Sequence, residues 1–138
     1  MRWQIWIIGV VLLSSIACKK DFHGIPEVYV DFHAPLTDPR LMALSAPNGS
    51  VMINGGVAGI IIYNTGFGYR AYDRCSTVNP EERCSVILDP DGGGSIALDT
   101  CSGGKFDLRT GVAAKAPAKW PLKEYRVTNA GGILNVFN

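Results

Sequence analysis

The sequence predicts a small all-β domain, a sandwich or barrel of short antiparallel strands. Three observations carry this expectation. The 138 residues include 16 glycines and 8 prolines, an ample supply of turns. Between those turns, short alternating or fully apolar runs recur at regular spacing. No long stretch shows the 3.6-residue apolar period of a helix, and no internal repeat is present. Once the leader described below is set aside, roughly 120 residues remain, enough for one core.

The first strand is read in "EVYVDFHA". Val28, Val30 and Phe32 fall on one face and Tyr29, Asp31 and His33 on the other, the alternation of a half-buried strand. "PLTDPRLMALSAPNG" is a proline-marked connection with room for one helical turn near Leu41 to Leu44. "SVMINGGVAGIIIYNTGFGYRAYDR" divides into three short strands at its glycines. Ile60, Ile61 and Ile62 form a continuous apolar run, which predicts a strand covered on both faces.

"CSVILDPDGGGSIALD" reads as a hairpin, with Val86 to Leu88 and Ile96 to Leu98 as arms and Asp89 and Asp91 as solvated acids of a glycine turn. The oxygen spacing of an EF-hand is absent there. Lys105 to Leu108 is a further short strand. "RTGVAAKAPAKWP" is read as a loop. A final hairpin is predicted in "LKEYRVTNAGGILNVFN", with Leu122, Tyr125, Val127, Ile133, Leu134 and Val136 as its apolar contributors.

Residues 1–17 have the layout of a secretory leader: Arg2, an apolar run over residues 5 to 13, then small residues. The run is short for a membrane-spanning helix, which needs ~20 apolar residues. Ser15-Ile16-Ala17-Cys18 resembles a bacterial lipobox of the relaxed Bacteroidetes kind, with Ser15 where Leu is usual. The resemblance implies acylation of Cys18, with 18–26 as a tether and 27–138 as the folded domain. The chain would then hang from a membrane in the bacterial cell envelope. Lys19 and Lys20 do not resemble an aspartate-based inner-membrane retention signal, which favours the outer membrane.

Arg2 is the one charge before Cys18, so the remainder carries 12 basic and 12 acidic residues out of 13 and 12. A neutral chain shows no basic patch of the sort nucleic-acid binding needs, and no polynucleotide partner is expected. "GGVAG" precedes no helix and is not a phosphate loop. No Ser/His/Asp set points to hydrolysis or group transfer. An electron-transfer component is the one redox role considered, and a non-catalytic chain is expected.

From Ile60 onward, the order of features resembles the Rieske fold. "YRAYDRCST" stands where that family has a first loop with Cys-x-His. "CSGGKFDLRTG" stands where it has a second loop with Cys-x-x-His, and "KAPAKWPLKEYRV" where it has a proline-rich loop and closing strand. Phe106, Asp107, Gly111, Pro117, Ala118, Pro121 and Leu122 fall in register. The resemblance implies a Rieske-like β domain with an inserted, loop-rich cluster-binding subdomain. It makes Cys75 and Cys101 the cluster positions. A Rieske [2Fe–2S] centre takes two cysteines and two histidines, but Thr77 and Gly104 occupy the histidine positions. His23, in the tether, and His33, on the outer strand face, are read as solvent-facing. Trp120 is expected to pack against the loop cysteines.

Several outcomes are open for the thiols. The resemblance places Cys75 beside Cys101, implying a disulfide between them in an oxidising compartment. Cys84 with either one is the variant pairing, and no Cys-x-x-Cys supports a redox switch. Alternatively Cys75, Cys84 and Cys101 hold a metal, zinc or an iron–sulfur cluster, with Asp99 or Asp73 completing the set. The last alternative is that the thiols are idle core residues. No cofactor is the expectation, with a [2Fe–2S] cluster or zinc as the alternative. The function expected is that of an envelope lipoprotein with a degenerate, disulfide-closed site.

Overall fold

Ten short strands and two 3₁₀ turns account for the regular structure of residues 22–138, the part described by the computed structural model. The strands are β1 (Asp31–Pro35), β2 (Ser50–Ile53), β3 (Ile60–Asn64), β4 (Tyr69–Asp73), β5 (Ile87–Leu88), β6 (Ile96–Leu98), β7 (Lys105–Asp107), β8 (Ala113–Lys115), β9 (Glu124–Ala130) and β10 (Ile133–Phe137). They form two antiparallel sheets. One has six strands in the order β1-β10-β9-β4-β3-β2, and the other has four in the order β5-β6-β7-β8. The leader and Cys18 lie outside the described residues. Among the described residues, no helix is long and apolar enough to cross a membrane.

β3 explains why the sequence carries three consecutive isoleucines. Ile60 and Ile62 point into one core with Val30, Leu41, Leu44, Tyr125, Leu134 and Val136. Ile61 and Tyr63 point the other way, into a second core with Tyr72, Val86, Ala97, Phe106, Leu108 and Leu122. Side chains alternate along a strand, so a strand between two cores must be apolar at every position. All four residues from Ile60 to Tyr63 are fully buried. Each such side chain contributes about 1.5–3 kcal/mol from burial, which makes β3 the axis of the domain.

The flanking elements follow from the same alternation. Val30 and Ala34 are buried and Phe32 half-buried, while Tyr29, Asp31 and His33 are exposed, as the sequence pattern requires. The helical turn is longer than expected, Pro39–Ser45, and buries Leu41 and Leu44. Asp38 caps it by accepting the Arg40 amide at 2.8 Å. In the last hairpin Leu134 and Val136 point inward. Ile133 is therefore out of phase and exposed, contrary to its place among the expected apolar contributors.

Two further expectations are corrected. Ala113–Lys115, read as loop, forms edge strand β8 against β7. Asp89 is not a solvated acid: it is buried, accepts the Asp91 amide at 3.1 Å and pairs with the Lys105 ammonium.

Residues 22–26 are not a free tether. Ile25 is fully buried, Phe22 and Ile25 form a β-bridge, and the Lys123 ammonium donates to the Pro26 carbonyl at 3.1 Å. The turn after β7 depends on Gly111, which has φ +81°. A Cβ there would lie 2.6 Å from Cε1 of Tyr72, so only glycine fits.

Candidate functional site

The loop from β4 to β5, the loop from β6 to β7 and the proline loop before β9 converge at one end of the four-stranded sheet. The first two share a spelling, Asp-x-Cys-Ser: Asp73 to Ser76 and Asp99 to Ser102. They also share a geometry. Asp73 Oδ1 accepts the Cys75 amide at 2.8 Å, and Asp99 Oδ1 accepts the Cys101 amide at 2.9 Å. Ser76 Oγ accepts the Val78 amide at 3.2 Å, and Ser102 Oγ accepts the Gly104 amide at 3.2 Å. Each loop is thus tied by its own short polar side chains, the mechanism by which Asp and Ser favour turns over regular structure.

The two loops are then joined by one carboxylate. The hydroxyls of Ser76 and Ser102 both donate to Asp99 Oδ2 at 2.6 Å. Asp99 is 1% exposed. Burial raises its pKa, but the hydroxyls of Ser102 and Ser76 and the amides beyond them outweigh that and hold it below the usual carboxylate value.

Asp73 plays the matching part toward the large sheet. It is fully buried and accepts the amides of Val57 at 2.6 Å, Ala58 at 3.2 Å and Cys75, together with the Tyr125 hydroxyl at 2.7 Å. Burial, and then the bond to Asp73, push the Tyr125 phenol well up, so it stays a donor.

The cysteines pair differently from the expectation. Cys84 is bonded to Cys101, with Cα atoms 6.4 Å apart, and Cys75 is free. The Cys75–Cys101 bridge is therefore corrected. The reason lies in the loop after β4, which folds back on itself. Cys75 forms a β-bridge with Ser85, and the Ser76 amide donates to the Cys84 carbonyl at 2.9 Å. This pairing sets Cys84 beside the second loop. Cys75 points inward, with its Sγ 3.6 Å from the Pro80 carbonyl oxygen. Burial, and then the Asp73 carboxylate, push the Cys75 thiol up to about 11.

The expected three-cysteine metal set does not come together. Among the described residues, the one group with metal-ligand spacing is Cys84, Asp99 and Cys101, whose ligand atoms lie within 4.8 Å of one another. Two of those atoms are the bonded sulfurs, and the Asp99 carboxylate already accepts both loop serines. Asp73 is not a metal ligand in waiting either, since both its oxygens are taken.

The positions where the Rieske pattern has histidines are filled. The Thr77 hydroxyl donates to the Trp120 carbonyl at 2.9 Å and the residue is 5% exposed. A Cβ on Gly104 would lie 3.2 Å from the Cβ and amide nitrogen of Ala118 and from a methyl of Val78. One cluster thiol is oxidised, the other is buried and protonated, and both nitrogen donors are absent. This donor set does not fit a Rieske cluster.

Trp120 does not pack into the loops as expected. It is 52% exposed and stacks on His23, with ring centroids 4.5 Å apart and planes 11° apart. His23 in turn meets Phe22 edge-on at 4.7 Å. The sequence reading missed this stack because residues 22 and 23 looked like tether. It also missed the holding role of Asp73 and Asp99, although the repeated Asp-x-Cys-Ser was a visible signal.

With this geometry in hand, the fold is Rieske-like. No family model matches the chain, and no curated protein matches it. Among solved structures, the cyanobacterial plasma membrane Rieske protein from Synechocystis PCC 6803 has a TM-score of 0.52 at 18% identity, covering 80% of this chain and 98% of that one. The ferredoxin of carbazole 1,9a-dioxygenase from Nocardioides aromaticivorans IC177 has a TM-score of 0.51 at 19% identity, with 80% and 97% covered. A chain from the complex of reduced oxygenase and oxidized ferredoxin in carbazole 1,9a-dioxygenase has a TM-score of 0.51 at 23% identity, with 78% and 93% covered. At these identities the likeness is one of fold.

Proposed function

We propose that this chain is a bacterial envelope lipoprotein whose Rieske-like domain serves as a non-catalytic structural or binding module. Acylated Cys18 anchors it, in the outer membrane by our reading of Lys19 and Lys20. One observation carries the loss of cluster binding: Cys101, at the second cluster position, is bonded to Cys84. The closed site beside Gly104 supports it. A second reading, electron transfer through a [2Fe–2S] centre, draws support from the Rieske protein and ferredoxins that share the fold.

The chain purified from membranes without oxygen separates the two. The first reading expects a colourless protein without iron or sulfide, and one free thiol under denaturant. Visible charge-transfer bands with stoichiometric iron and sulfide would overturn it in favour of the second.

A further inference from the structure

We propose that the stack of Phe22, His23 and Trp120 is the face by which the domain rests on its own membrane, at the level of the lipid headgroups. The inference rests on acylation of Cys18, proposed above. Three observations point to a lipid surface as the occupant.

The first is reach. The described chain begins at Phe22, only four residues from Cys18. Four residues span at most ~14 Å when fully extended. Phe22 packs on His23 and His23 on Trp120, so the whole stack is held at the anchored end.

The second is chemistry. Trp120 is the largest exposed aromatic at this end, 52% exposed with one ring face on His23. An indole half in and half out of water, beside a polar imidazole, suits the interface between headgroup and hydrocarbon. Trp120 also lines a cleft of about 370 Å³ together with Thr77, Val78, Pro117 and Lys119.

The third is charge. Lys19 and Lys20 lie in the connecting segment and Lys119 is exposed next to Trp120. Asp21 is the one acid between Cys18 and His23. Glu81 and Glu82, exposed after the Pro80 that Gly24 lies against, are further opposing charges on this side, and the three lysines are the groups offered to anionic headgroups.

The sequence supplies its own reporter. Of three tryptophans, Trp3 and Trp6 lie in the leader, so the processed chain retains only Trp120. The test uses the processed lipoprotein in vesicles of phosphatidylethanolamine and phosphatidylglycerol, with and without acyl chains brominated near the headgroup. Flotation and the mass of the N-terminal peptide are read on the same sample.

The expected result is a floating, acylated protein whose emission is blue-shifted and loses intensity in the brominated bilayer. Floating, acylated protein with unshifted, unquenched emission overturns the docking alone and leaves the anchor standing. A protein that does not float, or whose Cys18 carries no lipid, overturns both.

Discussion

Ser76 and Asp99 stand 23 residues apart in sequence, on separate loops, and the serine hydroxyl donates to the carboxylate at 2.6 Å. With Ser102 donating to the same oxygen at 2.6 Å, one buried acid closes the end of the domain. Hydrogen bonds to a charged acceptor are each worth about 1.5–3 kcal/mol. Asp99→Asn keeps the shape and is expected to cost about 1–3 kcal/mol, with Asp99→Ala costing more because three donors lose their partner. Urea midpoints of the variants check this. An unchanged midpoint would show that the carboxylate does not hold the loops.

The same carboxylate gives the stability a pH dependence. Folding lowers the Asp99 pKa. Its stabilisation is therefore complete above the ordinary value of about 3.9 and is lost as pH falls through the lower folded value. The native chain should lose stability more steeply than Asp99→Asn on acidification below that value. Parallel acid limbs in the two proteins would contradict the assignment.

The disulfide closes a loop with a sequence separation of 17. Loop closure of that length is worth roughly 3 kcal/mol. Reductant should lower the denaturation midpoint of the native chain and of Cys75→Ser alike. It should leave Cys101→Ser, which starts from the lower value, unmoved. A reductant response that vanishes in Cys75→Ser and survives in Cys84→Ser would restore the Cys75–Cys101 pairing that the family resemblance implies.

Cys75 is buried, with its thiol pushed up to about 11. The thiolate is the reactive form. At mildly alkaline pH the folded protein should label with a maleimide only at the rate at which it opens, and at once when unfolded. Rapid labelling of the folded chain would place the thiol at the surface.

Gly104 tests the closed histidine position. An added Cβ would meet Ala118 and Val78 at 3.2 Å, and overpacking of this kind costs about 1–3 kcal/mol. One of those contacts is the Ala118 backbone, which yields little, so Gly104→Ala should lower the melting temperature even against the ~0.4–1 kcal/mol that Gly→Ala gains through the unfolded chain. A neutral or stabilising effect would mean that the pocket has room.

Much of the fold is legible in the sequence where one physical rule acts alone. The alternation around Val30 and the unbroken Ile60 to Ile62 run report burial directly, and both match the observed faces, with Tyr63 extending the buried run by one residue. β8 is less legible, because Ala113 and Ala114 carry little strand preference and its pairing with β7 is short. The site is legible in part. The positions of Cys75, Thr77, Cys101 and Gly104 in the two loops follow from the motif. The cysteine pairing does not. It depends on a β-bridge between Cys75 and Ser85 that faces one sulfur inward and delivers the other to its partner, and no composition or spacing reports that twist. Asp73 and Asp99 look like spare ligands because a carboxylate is the same in sequence whether it awaits a cation or already holds amides.

The paired Asp-x-Cys-Ser loops are self-supporting: the bonds that shape them run from side chain to backbone within each loop. A loop shaped that way does not need a guest to keep its form. The outline of the site therefore rests on Asp73, Ser76, Asp99 and Ser102, and a change at Thr77 or Gly104 removes none of those side-chain bonds. "DTCSGG" carries its own template: Asp99 and Ser102 fix the course of the chain that follows them.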